Sequence, residues 1–135
     1  MMRRSAALMG MGVGGAVVLL LLGAAARPAT LAETSPGLWE LSGLPNTAAP
    51  VRQCMADTAA LAAFEHRGQN CKQVVLSDTP STTVIDYTCA SGGFGHSKLT
   101  LLTPRSLRIE TQGISASYPF NYVIQARRVG DCPAH

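Results

Sequence analysis

Charge is scarce in this sequence. Only 14% of its 135 residues are Asp, Glu, Lys or Arg. The formal surplus of +3 comes from Arg3, Arg4 and Arg27. From Glu33 onward, 8 basic and 8 acidic residues cancel. No basic cluster in that stretch is larger than Arg127-Arg128. A chain without a basic face has no electrostatic grip on a phosphate backbone, so nucleic acid is not an expected partner.

Motifs that carry chemistry are also lacking. The four cysteines, Cys54, Cys71, Cys89 and Cys132, are separated by 16, 17 and 42 residues. Structural zinc sites use pairs two to four residues apart, so no metal site is indicated. There is no Gly-x-Ser-x-Gly elbow. Gly92-Gly93-Phe94-Gly95 looks superficially like a phosphate cradle. It lacks the following Lys-Ser/Thr and the following helix, and a hairpin turn is expected instead. His66, His96 and His135 have no carboxylate or cysteine partners at a telling spacing, and structural or solvated roles are expected for each. His66 sits where a helix end would favour it. Asp86 and Glu110 share the polar face of the expected sheet and are the one candidate acid pair, with solvated carboxylates as the plain alternative. No catalytic residue, cofactor or metal is assigned.

The N-terminus is distinctive. Two arginines precede an uncharged run from Ser5 to Ala26, most apolar at Val17 to Leu22. Small residues follow, at Ala24-Ala25-Ala26 and again at Thr30-Leu31-Ala32. This order reads as a secretory signal peptide over residues 1–26. Cleavage after Ala26 is preferred to cleavage after Ala32, which would leave Arg27 inside the cleavage region. A retained membrane anchor is the rival, since the run is long enough to span a bilayer, but its glycines weaken it. The expected location is periplasmic or secreted, with membrane contact only through an uncleaved signal segment.

An even number of cysteines in an exported chain of this size implies disulfides. The expected pairing is Cys54–Cys71 and Cys89–Cys132. The chain returns after a short helix and brings Cys71 back beside Cys54, and the second bond ties the end of the chain to the middle of the sheet. Cys54–Cys89 with Cys71–Cys132 is the rival pairing.

Residues 27–36 read as a mobile lead-in and 37–132 as one domain. Leu38 to Leu41 and Val51 to Cys54 are short strands around a turn-rich loop. Trp39, the one tryptophan, is expected to be buried. Asp57 to His66 is the single helical pattern, with Asp57 as N-cap and Gly68 as stop. Its Leu61 and Phe64 share a face that packs on the sheet. Extended segments follow at Lys72–Ser77, Thr82–Ala90, His96–Thr103, Leu107–Thr111 and Tyr118–Arg128. Gln112 to Ser117 is read as a polar loop. Ile85, Tyr87 and Cys89, then Leu99 and Leu101, then Phe120, Tyr122, Ile124 and Ala126, alternate with polar residues at period two. One apolar and one polar face suit an antiparallel sheet covered on one side. The fold class expected is therefore α+β: an antiparallel meander with one short α-helix, stapled by disulfides.

Pro36-Gly37-Leu38-Trp39-Glu40 near the start, Cys54 before an Ala-rich helix, Cys71, Cys89, and the ending Arg127-Arg128-Val129-Gly130-Asp131-Cys132 together resemble a family of small exported proteobacterial proteins. That family is known as a domain of unknown function. The resemblance spans nearly the whole chain after the signal. It implies periplasmic export and paired cysteines, and no activity. Met55-Ala56 follows Cys54 where relatives often carry Thr-Pro. The functional expectation is a monomeric, non-catalytic binding or interaction module of the envelope, with an unknown ligand or envelope protein as partner. An inhibitor-like protein is the alternative, and a small hydrolase a more distant one.

Overall fold

The computed structural model describes residues 27–134. The expected signal segment, 1–26, and His135 lie outside the described residues. Seven strands form one antiparallel sheet: β1 (Gly37–Ser42), β2 (Val51–Met55), β3 (Cys71–Asp78), β4 (Thr82–Cys89), β5 (Phe94–Thr103), β6 (Ser106–Ser115) and β7 (Tyr118–Gly130). Their order is β2-β1-β7-β6-β5-β4-β3. Strands β3 to β7 are the expected meander, and β1 then pairs with β7 to extend it. The residues expected on the covered face are there. Trp39, Leu41, Ile85, Tyr87, Cys89, Leu99, Leu107, Ile109, Ile124 and Ala126 are buried, and Leu101, Phe120 and Tyr122 are half-buried.

Gln112–Ser115, expected as loop, continues β6. Its composition is polar, but every residue is paired with Tyr118–Asn121 of β7, and all but Ser115 also with Phe94–His96 of β5. The true turn is two residues long. Ala116 and Ser117 have φ of 49° and 69°, the left-handed pair that matches strand twist in a tight hairpin.

The helix is a 3-10 helix over Thr58–His66, where an α-helix was expected. Asp57 caps it as expected, its carboxylate accepting from Ala59 N–H at 2.9 Å. The α-form is broken at Ala63, whose φ and ψ are −118° and 33°. Leu61, Ala62, Ala63 and Phe64 are consecutively buried, so the segment is embedded, with no clean one-sided stripe to favour α-periodicity. A second short helix, α1 (Ala29–Ala32), precedes β1.

Residues 27–36, expected as a lead-in, include side chains packed against the sheet. Leu31 and Thr30 have no exposed surface, and Leu31 belongs to the main core cluster. Ala29 N–H donates to both oxygens of Asp78, at 2.9 and 3.1 Å. Thr30 Oγ1 donates to Thr79 O at 2.9 Å and accepts from Thr83 Oγ1 at 2.7 Å. Of the second suggested cleavage pattern, Thr30 and Leu31 lie under the sheet and Ala32 is exposed.

The disulfides are Cys54–Cys132 and Cys71–Cys89. Neither expected pair forms. The 3-10 helix carries the chain across the covered face, from β2 at one edge to β3 at the other, so Cys71 ends far from Cys54 in strand order. Cys71 instead stands directly opposite Cys89, with Cα atoms 3.9 Å apart. Cys54 pairs with Leu38, and Leu38 with Gly130. The end of the chain therefore passes within reach of β2, and Cys132 closes on Cys54. Among the described residues no helix is long and apolar enough to cross a membrane.

Candidate functional site

Two groups of titratable side chains deserve a chemical test. The first is on the covered face. His66, at the end of the 3-10 helix, is buried. Its Nε2 lies 3.0 Å from Ile114 O and its Nδ1 3.0 Å from Tyr87 Oη. A carbonyl only accepts, so Nε2 carries the proton, and in the neutral ring Nδ1 accepts from the Tyr87 hydroxyl. Phe120 packs edge-on against the ring, with centroids 5.8 Å apart. Beside this group, Tyr122 donates to Glu65 Oε2 at 2.6 Å. Burial, with the Glu65 carboxylate nearby, pushes Tyr87 up to about 12. Burial and the hydrogen bond to Glu65 also push Tyr122 upward. Both histidine nitrogens are occupied, so His66 has no lone pair to offer as base or metal ligand. It fastens the helix end to β4 and β6.

The second group is on the uncovered face. His96 Nδ1 donates to Asp86 Oδ1 at 2.6 Å across β5 and β4. Glu110 is bonded to Arg108 at 2.7 Å. Asp86 and Glu110 therefore do not form an acid pair, because each has a basic neighbour of its own. Neither described histidine has a serine, threonine or cysteine as hydrogen-bond partner. The buried hydroxyls of Ser97 and Thr111 bond to each other at 2.8 Å. No cluster of three metal-ligating side chains occurs among the described residues. All four cysteines are oxidised.

The uncovered face carries a groove. A concavity of about 780 Å³ runs over β4, β5, β6 and β7. Strand register builds it from two rows. Thr88, Phe94, Ile114 and Pro119 stand in line on one side. Asp86, His96, Gln112 and Asn121 stand in line on the other. Between them lie Tyr87, Gly95, Gly113 and Phe120, which belong to the opposite face, so the floor is bare backbone. The paired glycines are needed there. A Cβ on Gly95 would run into the Tyr87 ring, and one on Gly113 into Phe94 O. Phe94 keeps 53% of its surface exposed, large for an aromatic in a sheet with one apolar core.

A smaller hollow of about 430 Å³ lies between the C-terminal half of the 3-10 helix and strands β2 and β3. That both outermost strands line one hollow shows how far the sheet curls. Arg67 stacks over Phe64 there, 4.6 Å from the ring centroid. Its walls include both disulfides through Cys54 and Cys71.

Of the residues singled out in the sequence, the structure brings together Asp86, His96 and Phe94, and leaves Glu110 with Arg108. The groove itself was not foreseen. Its signal was present in the outward-facing positions of four strands, but it needs their register to become a site.

A family model described as "Protein of unknown function (DUF3617)" matches residues 34–132. No curated protein and no solved structure matches the chain.

Proposed function

This chain belongs to the DUF3617 family of unknown function, and we propose that it is a non-catalytic binding module of the cell envelope. The observation that carries this reading is the groove on the uncovered face. It is a concave site in a sheet whose covered face is already filled, and it combines an exposed aromatic with convergent polar side chains. Such concavities are the default places for ligands. Two disulfides favour an oxidising compartment. An export signal over residues 1–26 gives the route there.

Burial of Thr30 and Leu31 supports cleavage after Ala26 and opposes cleavage after Ala32. The chain is expected to act as a monomer. The Cys71–Cys89 staple sits at the edge strand β3, and a bulge between Val75 and Ser77 interrupts that edge, which discourages strand pairing between copies.

The test is a thermal-shift comparison of the mature protein with its Phe94→Ala/Gln112→Ala double variant, against fractionated small-molecule extract from the same compartment. Fractions that raise the melting temperature of the first and not the second are expected. If every active fraction stabilises both alike, the groove is not the site.

A further inference from the structure

The two rows of the groove narrow the chemistry of its ligand, and we propose that it takes a neutral saccharide lying across the strands. The proposal rests on the binding reading above and goes on to name the ligand class. Consider first what supplies hydrogen bonds. The backbone groups of the floor are spent in the ladders joining β4 to β5, β5 to β6 and β6 to β7. Only side chains are left to bond a ligand. A peptide binds best along a free edge, where it can add a ladder. This groove runs at right angles to the strands and offers none.

Charge excludes another class. No lysine or arginine lines the groove, and its one histidine, His96, is already held by Asp86, so a phosphate, sulfate or carboxylate would meet no unpaired cation. The one acidic group, Asp86, is already engaged by His96 at 2.6 Å. An acyl chain would lie well on Phe94, Ile114 and Pro119. It would make no use of the Gln112 and Asn121 amides, which stand in the other row.

The ligand that remains has one apolar face and one edge of mixed donors and acceptors. A sugar ring has both: C–H groups on its face and hydroxyls around its rim. The Gln112 and Asn121 amides each offer two donors and an acceptor, the combination that hydroxyls, themselves donor and acceptor, can satisfy. His96 adds its free Nε2 and Asp86 its second oxygen. The spacing agrees. The rows are two residues apart along the strands, about 7 Å, and four adjacent strands span about 14 Å. That is room for a short chain of rings with hydroxyls on the polar row and ring faces on Phe94 and Ile114.

The experiment is a titration of the ¹⁵N-labelled mature protein, followed by amide chemical shifts. The probes are maltotriose, cellotriose and chitotriose, with laurate, inorganic phosphate and trialanine beside them. Saturable shifts confined to Thr88, Phe94, His96, Gln112 and Asn121 are expected with at least one saccharide. Gln112→Ala and Asn121→Ala should each weaken that binding roughly tenfold, the equivalent of about 1.4 kcal/mol, with an unchanged melting temperature. Lys98→Ala, on the same face but outside the groove, should leave it unchanged. Saccharide shifts that map elsewhere, or that survive both amide substitutions, overturn the proposal. If laurate, phosphate or trialanine moves the groove amides and no saccharide does, the saccharide assignment fails and the binding reading stands. If no probe moves them, both fail.

Discussion

Trp39 shows how much one residue carries here. Its side chain has no exposed surface and touches the same core as Leu41, Leu31 and Ile124. Its indole N–H donates to Ser35 O at 3.2 Å. Trp39→Ala should cost roughly 3–5 kcal/mol, the range for emptying a large aromatic site. A urea titration followed by circular dichroism measures it, and a midpoint within error of the parent would refute the burial argument. Tyr87 makes a second, pH-dependent prediction. Its hydroxyl ionises near 10 in an unfolded chain and at about 12 in the folded one. Below 10 both states keep the proton, and the stabilising contribution is fully present. Between 10 and 12 the unfolded chain releases the proton while the folded chain keeps it, so stability falls as pH rises. Tyr122 acts in the same direction. The urea midpoint should therefore drop steeply above about pH 10. A Tyr87→Phe/Tyr122→Phe variant should lose most of that slope, and an equally steep decline in it would count against the assignment.

At the scale of elements, the strands and the hairpin turn at Gly92-Gly93 were legible, and the connection from β6 to β7 was not. Ile85-Asp86-Tyr87-Thr88 alternates so plainly that its faces need no neighbour to assign them. Gln112-Gly113-Ile114-Ser115 has no such alternation, and it is a strand because two ordered neighbours hydrogen-bond it from both sides. Local composition cannot report that. The helix was placed correctly and its form missed, since the distortion at Ala63 comes from embedding under the sheet. The groove failed to show for the same reason as the disulfides. Both depend on which residues stand opposite one another, a long-range property that spacing along the chain does not contain. The α1 segment yields its own prediction. A protein beginning at Glu33 lacks Thr30 and Leu31, and with them a core side chain and the bonds to Asp78, Thr79 and Thr83. It should be less stable than one beginning at Arg27 by roughly 2–5 kcal/mol, as for a large apolar residue removed from a core. Equal urea midpoints for the two would show α1 to be dispensable.

At the scale of the whole molecule, the two disulfides act on different distances. Cys71–Cys89 closes a separation of 18 residues between neighbouring strands. Cys54–Cys132 closes one of 78 residues and joins the second strand to the end of the chain. In the chain-entropy model the first is worth about 3 kcal/mol and the second about 4.5 kcal/mol. A domain this size is stable by about 5–15 kcal/mol in all, so the two bonds together are comparable with the total. The longer bond also holds what packing holds least. Strand β2 is exposed at four of its five positions, with only Met55 buried, and it lies at the end of the sheet with β1 as its one neighbour. Without the bond to Cys132, little besides one ladder and Met55 keeps it in place. Cys54→Ser/Cys132→Ser should therefore lower the urea midpoint more than Cys71→Ser/Cys89→Ser, and full reduction should leave the chain largely unfolded at room temperature. Far-ultraviolet circular dichroism in the presence of a strong thiol reductant reads this directly. A reduced protein that kept its strand signal and a cooperative melt would mean that the curled sheet and its filled face suffice alone, and that the bonds serve some end other than stability.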